Sequence, residues 1–157
     1  GYGFWEEPVY GFDFSVVRAG DISHPQRYIT TADARSIVAS GQIAEIDFLH
    51  GTEADYLFTS EITLDYPSAG NFHGLIGHFE LDMGNGTILS TSPFARETCW
   101  HQSYFPMPAI RVPAGGQVTV RARSFLEPDG DRMRLGLTVA GPGEALDDQP
   151  EHVFAFE

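Results

Sequence analysis

Cysteine, lysine and long apolar runs are what this sequence has least of. The single cysteine, Cys99, rules out an internal disulfide and any zinc site built on several thiolates, and a reducing compartment, the cytoplasm, is the expectation. All nine basic residues are arginine, and 22 acidic residues against them leave a net charge of −13. Such a charge repels a phosphate backbone and an anionic membrane surface, so neither nucleic acid nor a membrane is an expected partner. The charge serves solubility or attracts a cationic ligand. No apolar stretch approaches the roughly 18 residues that a membrane span requires. The opening Gly-Tyr-Gly-Phe-Trp-Glu-Glu has no basic stretch and no unbroken apolar segment of the secretory-signal kind. At 157 residues the chain has the length of one domain with one core.

What the sequence has in quantity is period-two alternation, the mark of strands with one buried and one wetter face. Between Leu57 and Asp65, Phe58, Ile62 and Leu64 share a face opposite Thr59, Glu61, Thr63 and Asp65. Between Phe72 and Met83, Leu75, Phe79, Leu81 and Met83 stand opposite His78, Glu80 and Asp82. Met133, Leu135, Leu137 and Val139 alternate with Arg132, Arg134 and Thr138. Shorter strands are expected at Thr87–Ser90, Trp100–Phe105, Gln117–Leu126 and His152–Phe156. Gly84-Asn85-Gly86, Pro113-Ala114-Gly115-Gly116 and Pro128-Asp129-Gly130 have the chemistry of antiparallel reversals. One short helix is expected over Ala32–Ala39, capped by Thr30 or Thr31 and stopped by Gly41. Residues 1–30 differ: Phe4, Trp5, Val9, Tyr10, Phe12 and Phe14 have no clear period and must lie on the strands of 31–157 or on another chain. Strands this numerous favour a barrel or a sandwich over a layered α/β fold.

Most chemistry-bearing patterns fail for want of parts. Gly84-x-Gly86 is too short for a phosphate loop. His73 and His78, five apart on one strand, point to opposite faces and cannot share a metal. Cys99 and His101 make at most half a metal site. Glu80 and Asp82 share a face, but a solvated sheet surface accounts for them better than a glycosidase pair. Asp129 and Asp131 form a hairpin tip without the other oxygens of a calcium loop. No Gly-x-Ser-x-Gly elbow supports a serine nucleophile.

The stretch Leu89-Ser90-Thr91-Ser92-Pro93-Phe94-Ala95-Arg96-Glu97-Thr98-Cys99-Trp100-His101-Gln102 is different. It resembles the barrel half of the protein arginine N-methyltransferases, where a Ser-Thr-x-Pro strand end is followed, after four variable residues, by Thr-His-Trp-x-Gln. Trp5 and Val9-Tyr10-Gly11-Phe12-Asp13 resemble the start of that family's dimerisation arm. The resemblance implies a mainly β fold: an antiparallel β-barrel of the arginine-methyltransferase C-terminal type, with one short helix and an N-terminal arm. It implies a substrate cleft at Thr98, Cys99, Trp100 and Gln102, and an arm interface at Trp5, Tyr10, Gly11, Phe12 and Asp13. Cys99 stands where the family has histidine, and a thiol cannot donate and accept as imidazole does. Glu6 and Glu7 are adjacent, unlike the separated substrate-gripping glutamates of the family, and are not equated with them.

The AdoMet-binding half of the family has no counterpart in this sequence, so the chain is expected to hold no cofactor and to catalyse nothing alone. The implied partners are an AdoMet-binding domain of the same or another chain, an arginine-rich protein substrate and further copies of the chain. A glycan- or protein-binding β-sandwich using Trp100 and Tyr104 as a platform, and a diverged non-catalytic scaffold relative of the family, are the alternatives.

Overall fold

A computed structural model describes residues 36–96, 98–130 and 132–155, together with the backbone of 26–28. Nine strands are present among them: β1 (Gln26–Tyr28), β2 (Thr59–Asp65), β3 (Gly70–Gly77), β4 (Glu80–Asp82), β5 (Ile88–Ser90), β6 (Gln102–Val112), β7 (Gln117–Leu126), β8 (Met133–Ala140) and β9 (Glu151–Ala155). Every pairing is antiparallel, and the ladders fall into three sheets, β1-β6-β3, β2-β7-β8-β9 and the β4-β5 hairpin. The fold is the mainly β, antiparallel one that the alternation implies, with three hydrogen-bonded sheets as its units.

The two larger sheets are two halves of one bent ribbon. Asp65 pairs with Gln117 at the end of one sheet, and Gly70 pairs with Val112 at the start of the other. The segments 66–69 and 113–116 between them turn the corner side by side. Tyr66 N–H donates to the Gly116 carbonyl (2.9 Å) and Gly115 N–H to the Tyr66 carbonyl (2.8 Å), so the register passes through the bend unchanged. Strands that switch sheets through such a bend are how orthogonally packed β structures make corners.

The inner faces of the ribbon enclose one core. Leu64, Val118, Val120, Ala122, Leu135, Leu137, Val139 and Phe154 come from one sheet, Phe72, Phe105, Met107 and Val112 from the other. Phe105 meets Phe154 edge-on across the gap, with ring centroids 5.2 Å apart. Phe58, Ile62 and Leu64 all pack in this core, as their alternation implies, whereas Thr138, on the face expected to be wetter, is buried. The 3-10 turn Leu146–Asp148 lies against β7 and β8, next to the strand that carries Thr138.

Two features depart from the reading of the sequence. β6 runs on to Val112 through Pro106 and Pro108, where a strand ending at Phe105 is expected. It accommodates the prolines by bulging: from Phe72↔Ile110 to Gly74↔Pro106, β3 advances two residues and β6 four. Gly74 makes this possible, since a Cβ there would press into the Phe105 carbonyl and lie 2.9 Å from the Tyr104 ring. The second departure is the helix expected at Ala32–Ala39. Residues 32–35 lie outside the described residues; Ser36 is in a 3-10 turn, and residues 37–39 have no helical structure. Adjacent β-branched Ile37 and Val38 are poor helix formers, and Ala39 packs against the core instead. The arm residues Trp5, Tyr10, Gly11, Phe12 and Asp13 also lie outside the described residues.

Candidate functional site

The Thr-Cys-Trp loop hangs between β5 and β6, and what anchors it lies on the neighbouring strands. The β4-β5 ladder continues one step beyond its last strand residues: Thr91 N–H donates to the Phe79 carbonyl (2.9 Å), and Phe79 N–H donates to Thr91 Oγ1 (2.9 Å). At the first residue of β6, Gln102 Nε2 donates to the Thr91 carbonyl (2.9 Å). Gln102 Oε1 is buried and accepts no hydrogen bond among the described residues. A reciprocal pair and one amide bond thus tie β4, β5 and β6 together at the loop's base.

Out of this base two aromatic rings project. Trp100 meets the ring of Phe79 near edge-on, with centroids 6.3 Å apart and planes at 62°. Both remain open to solvent, Trp100 at 53% and Phe79 at 45% of full exposure, and Phe94 on the same connection is exposed too. Thr98 Oγ1 donates to the Trp100 carbonyl (3.2 Å), a bond inside the loop. Cys99 is a free, exposed thiol. An aromatic corner of this kind offers a π face and an apolar edge, the two surfaces that a guanidinium on an alkyl stem can use together.

Thr98, Trp100 and Gln102 are thus joined through the loop and its base, while Cys99 makes no side-chain bond among the described residues. Phe79 and Thr91 are the members that the sequence reading did not assign. Phe79 was expected on the buried face with Leu75 and Leu81. It lies outside because β3 ends at Gly77, and Phe79 joins the separate β4-β5 hairpin through Thr91, beyond the two sheets that enclose the core. Met83, placed on the same buried face by alternation, is likewise exposed, beside the Gly84-Asn85-Gly86 tip.

The other residues weighed from the sequence do not converge. Glu80 accepts from the Ser90 hydroxyl (3.0 Å) and Asp82 from Gly84 N–H (2.8 Å), so each serves the hairpin. His73 and His78 are exposed, and among the described residues no three His, Cys, Asp or Glu side chains gather as a metal would require. Nor do the described residues fit AdoMet: the positive-φ glycines Gly84 and Gly86 stand at a hairpin tip with open space around them, and no helix begins beside them. Among the described residues, no helix is long and apolar enough to cross a membrane.

Charge is distributed unevenly along the chain. From residue 36 to 95 the chain has no arginine or lysine, and Glu45, Asp47, Glu53, Asp55, Glu61, Asp65, Glu80 and Asp82 are all acidic. Asp47 accepts from His50 Nδ1 (2.9 Å) and from the Leu49 and His50 amides, which hold its carboxyl below its usual range. Asp55, bonded by the Thr52 amide and hydroxyl, is lowered likewise. On β7 the arginines are matched: Arg121 lies between Glu61 (2.7 Å) and Asp147 (2.9 Å), and Arg123 makes a two-point contact with Glu151 (2.9 and 2.7 Å) over the Phe125 ring. The Arg123 hydrogen bond holds Glu151 below the usual carboxylate range, against a smaller opposing effect of burial. The segment 36–95, which carries Phe79, thus holds eight acidic residues and no arginine of its own, and Glu61 among them is paired with Arg121.

Residues 2–135 match the family model of the arginine methyltransferase oligomerization subdomain. The chain is similar to protein arginine N-methyltransferase 8-B of Danio rerio, 28% identical over 136 residues, which is 81% of this chain and 32% of that protein. It is 27% identical over 142 residues to protein arginine N-methyltransferase 1 of Chlamydomonas reinhardtii, 87% of this chain and 40% of that protein. Among solved structures it superposes on a chain of the Trypanosoma brucei PRMT1 enzyme–prozyme heterotetrameric complex with AdoHcy, with a TM-score of 0.82 and 26% identity, over 99% of this chain and 50% of that one. Arabidopsis thaliana protein arginine methyltransferase 10, in an open conformation, shares the fold at a TM-score of 0.61 and 16% identity, over 98% of this chain and 50% of that one. The chain spans between about a third and two-fifths of the length of these curated relatives.

Proposed function

Because the chain belongs to the arginine methyltransferase family, as its oligomerization subdomain, we propose that it forms one wall of a substrate cleft and a subunit contact, and leaves methyl transfer to an AdoMet-binding half. The observation that carries this reading is the half-exposed Phe79–Trp100 corner, held where β4, β5 and β6 are tied together. The methyl donor AdoMet would be held by the other half, in the same chain or a separate one. The wall's part is to seat an acceptor arginine: the guanidinium against an aromatic face, with the other cationic side chains of an arginine-rich chain drawn in by the net charge of −13. The arm residues Trp5, Tyr10, Gly11, Phe12 and Asp13 would supply the contact between copies, as the family resemblance implies.

Titration of the chain with an Arg-Gly-rich peptide, its Lys-Gly counterpart and an oligosaccharide tests the wall. Binding of the arginine peptide, weakened by Trp100→Ala and by Phe79→Ala, is the expected result. Saccharide binding without peptide binding would replace it with a glycan-binding module. With AdoMet alone, neither binding nor methyl transfer is expected.

A second reading draws support from the Trypanosoma brucei relative, which assembles as an enzyme–prozyme heterotetramer. Cys99 in place of the family histidine suits a chain that acts as the non-catalytic partner of an active one. Co-sedimentation with a separate AdoMet-binding partner, rather than self-association alone, would favour it.

A further inference from the structure

The loop that presents Trp100 has few means of holding itself. Around Trp100 the side-chain bond from Thr98 Oγ1 to the Trp100 carbonyl begins and ends within the loop, and among the described residues Cys99 contributes none. Among the described residues, the ring contact that links Trp100 to the neighbouring strands is with Phe79. Phe79 is fixed in turn by its two backbone bonds with Thr91, a residue only 4% exposed. Thr91 lies one residue past the end of β5 and is held from the other side by Gln102.

We propose that Gln102 is the positioning residue of the aromatic corner, acting on Trp100 through Thr91 and Phe79 so that the corner is formed before any ligand arrives. Two observations support this beyond connectivity. Gln102 spans from β6 to the end of β5, eleven residues apart in sequence, so its amide joins the two ends of the loop, while the Phe79–Thr91 bonds join only β4 to β5. Its Oε1 is buried without a described partner, and an unsatisfied buried acceptor opposes folding. An apolar side chain of the same length would avoid that cost. A glutamine at this position is therefore explained by its donor, not by its burial. A preformed corner also lowers the ordering cost of seating a flexible arginine side chain. The proposal deepens the cleft reading, and only its peptide measurement rests on that reading.

The test makes Trp100 the sole tryptophan by Trp5→Phe, since the sequence has two. In that background, Gln102→Met and Thr91→Val should each keep the β-sheet circular dichroism. Each should also raise acrylamide quenching of Trp100 roughly twofold, the limit set by a ring already 53% exposed, and add fast motion to its anisotropy decay. The double variant should do no more than either single one. A folded Gln102→Met or Thr91→Val chain with unchanged quenching and anisotropy would overturn the proposal. Should both variants fail to fold, the unsubstituted chain decides: slow exchange of a Gln102 side-chain amide proton supports the anchor, and exchange as fast as that of an exposed glutamine overturns it. Affinity for the Arg-Gly-rich peptide should fall in Gln102→Met along with Trp100 order. If the unsubstituted chain binds no such peptide, the cleft reading fails, and the fluorescence still decides the role of Gln102.

Discussion

Gly136 shows how much can depend on a missing side chain. Arg123 on β7 and Glu151 on β9 are separated by β8, and the carboxylate reaches across at the position where Gly136 has no Cβ. A Cβ there would lie 2.6 Å from the Glu151 carboxyl carbon. Gly136→Val should therefore displace Glu151, break the two-point contact and lower stability by about 2 kcal/mol, read as a reduced urea midpoint. The same pair sets a pH dependence. Because the folded-state pKa of Glu151 is depressed, its stabilisation is complete above the ordinary value of 4.5 and is lost as pH falls through the lower folded value. Glu151→Gln should flatten the acid limb of the stability profile below about pH 4.5, by a small amount because the pair is partly solvated. Neither residue stands out in the sequence, since Gly136 reads as an ordinary interruption of a strand.

Elements differ in how firmly they are held. β7 and β8 are each paired on both sides within the four-stranded sheet, whereas β4 and β5 pair with each other alone. Hydrogen exchange should accordingly find the slowest amides in β7 and β8, and much faster exchange in the β4-β5 hairpin, even though that hairpin forms the base of the candidate site. Comparable protection of the two would contradict this ranking. Legibility in the sequence follows the same division. Where alternation is unbroken and a turn follows, as in Gln117–Leu126 after Pro113-Ala114-Gly115-Gly116, the strand reads directly from the residues. Where the chain bulges around Pro106 and Pro108, or restarts after Gly77, local rules give the wrong end or the wrong face. Of the candidate site, Trp100 and Gln102 are legible through the motif. Phe79 is not, because its exposure depends on where β3 stops, and Thr91 is legible as part of the Ser-Thr-x-Pro pattern but not in its role, which is a bond to a residue twelve positions away.

For the whole molecule, a charge of −13 is a long-range property that single contacts do not display. An arginine-rich peptide should bind more weakly as salt rises, because attraction to the molecule's negative charge acts over about 8–10 Å at physiological ionic strength and less above it. A lysine peptide of equal charge should show the same salt slope and a weaker plateau, since only the guanidinium matches the aromatic corner. Equal affinity for both peptides at high salt would mean that the corner contributes nothing beyond charge.

The bend shared by 66–69 and 113–116 has one further implication. Four residues on each side keep the partners in step, so adding a single residue to either side would slip one sheet against the other and turn its inward row of side chains outward. Lengthening both sides by the same amount would preserve the match. The two turns therefore behave as a single length, and divergence among relatives can alter that length only by coupled change, although 43 residues separate the two segments along the chain.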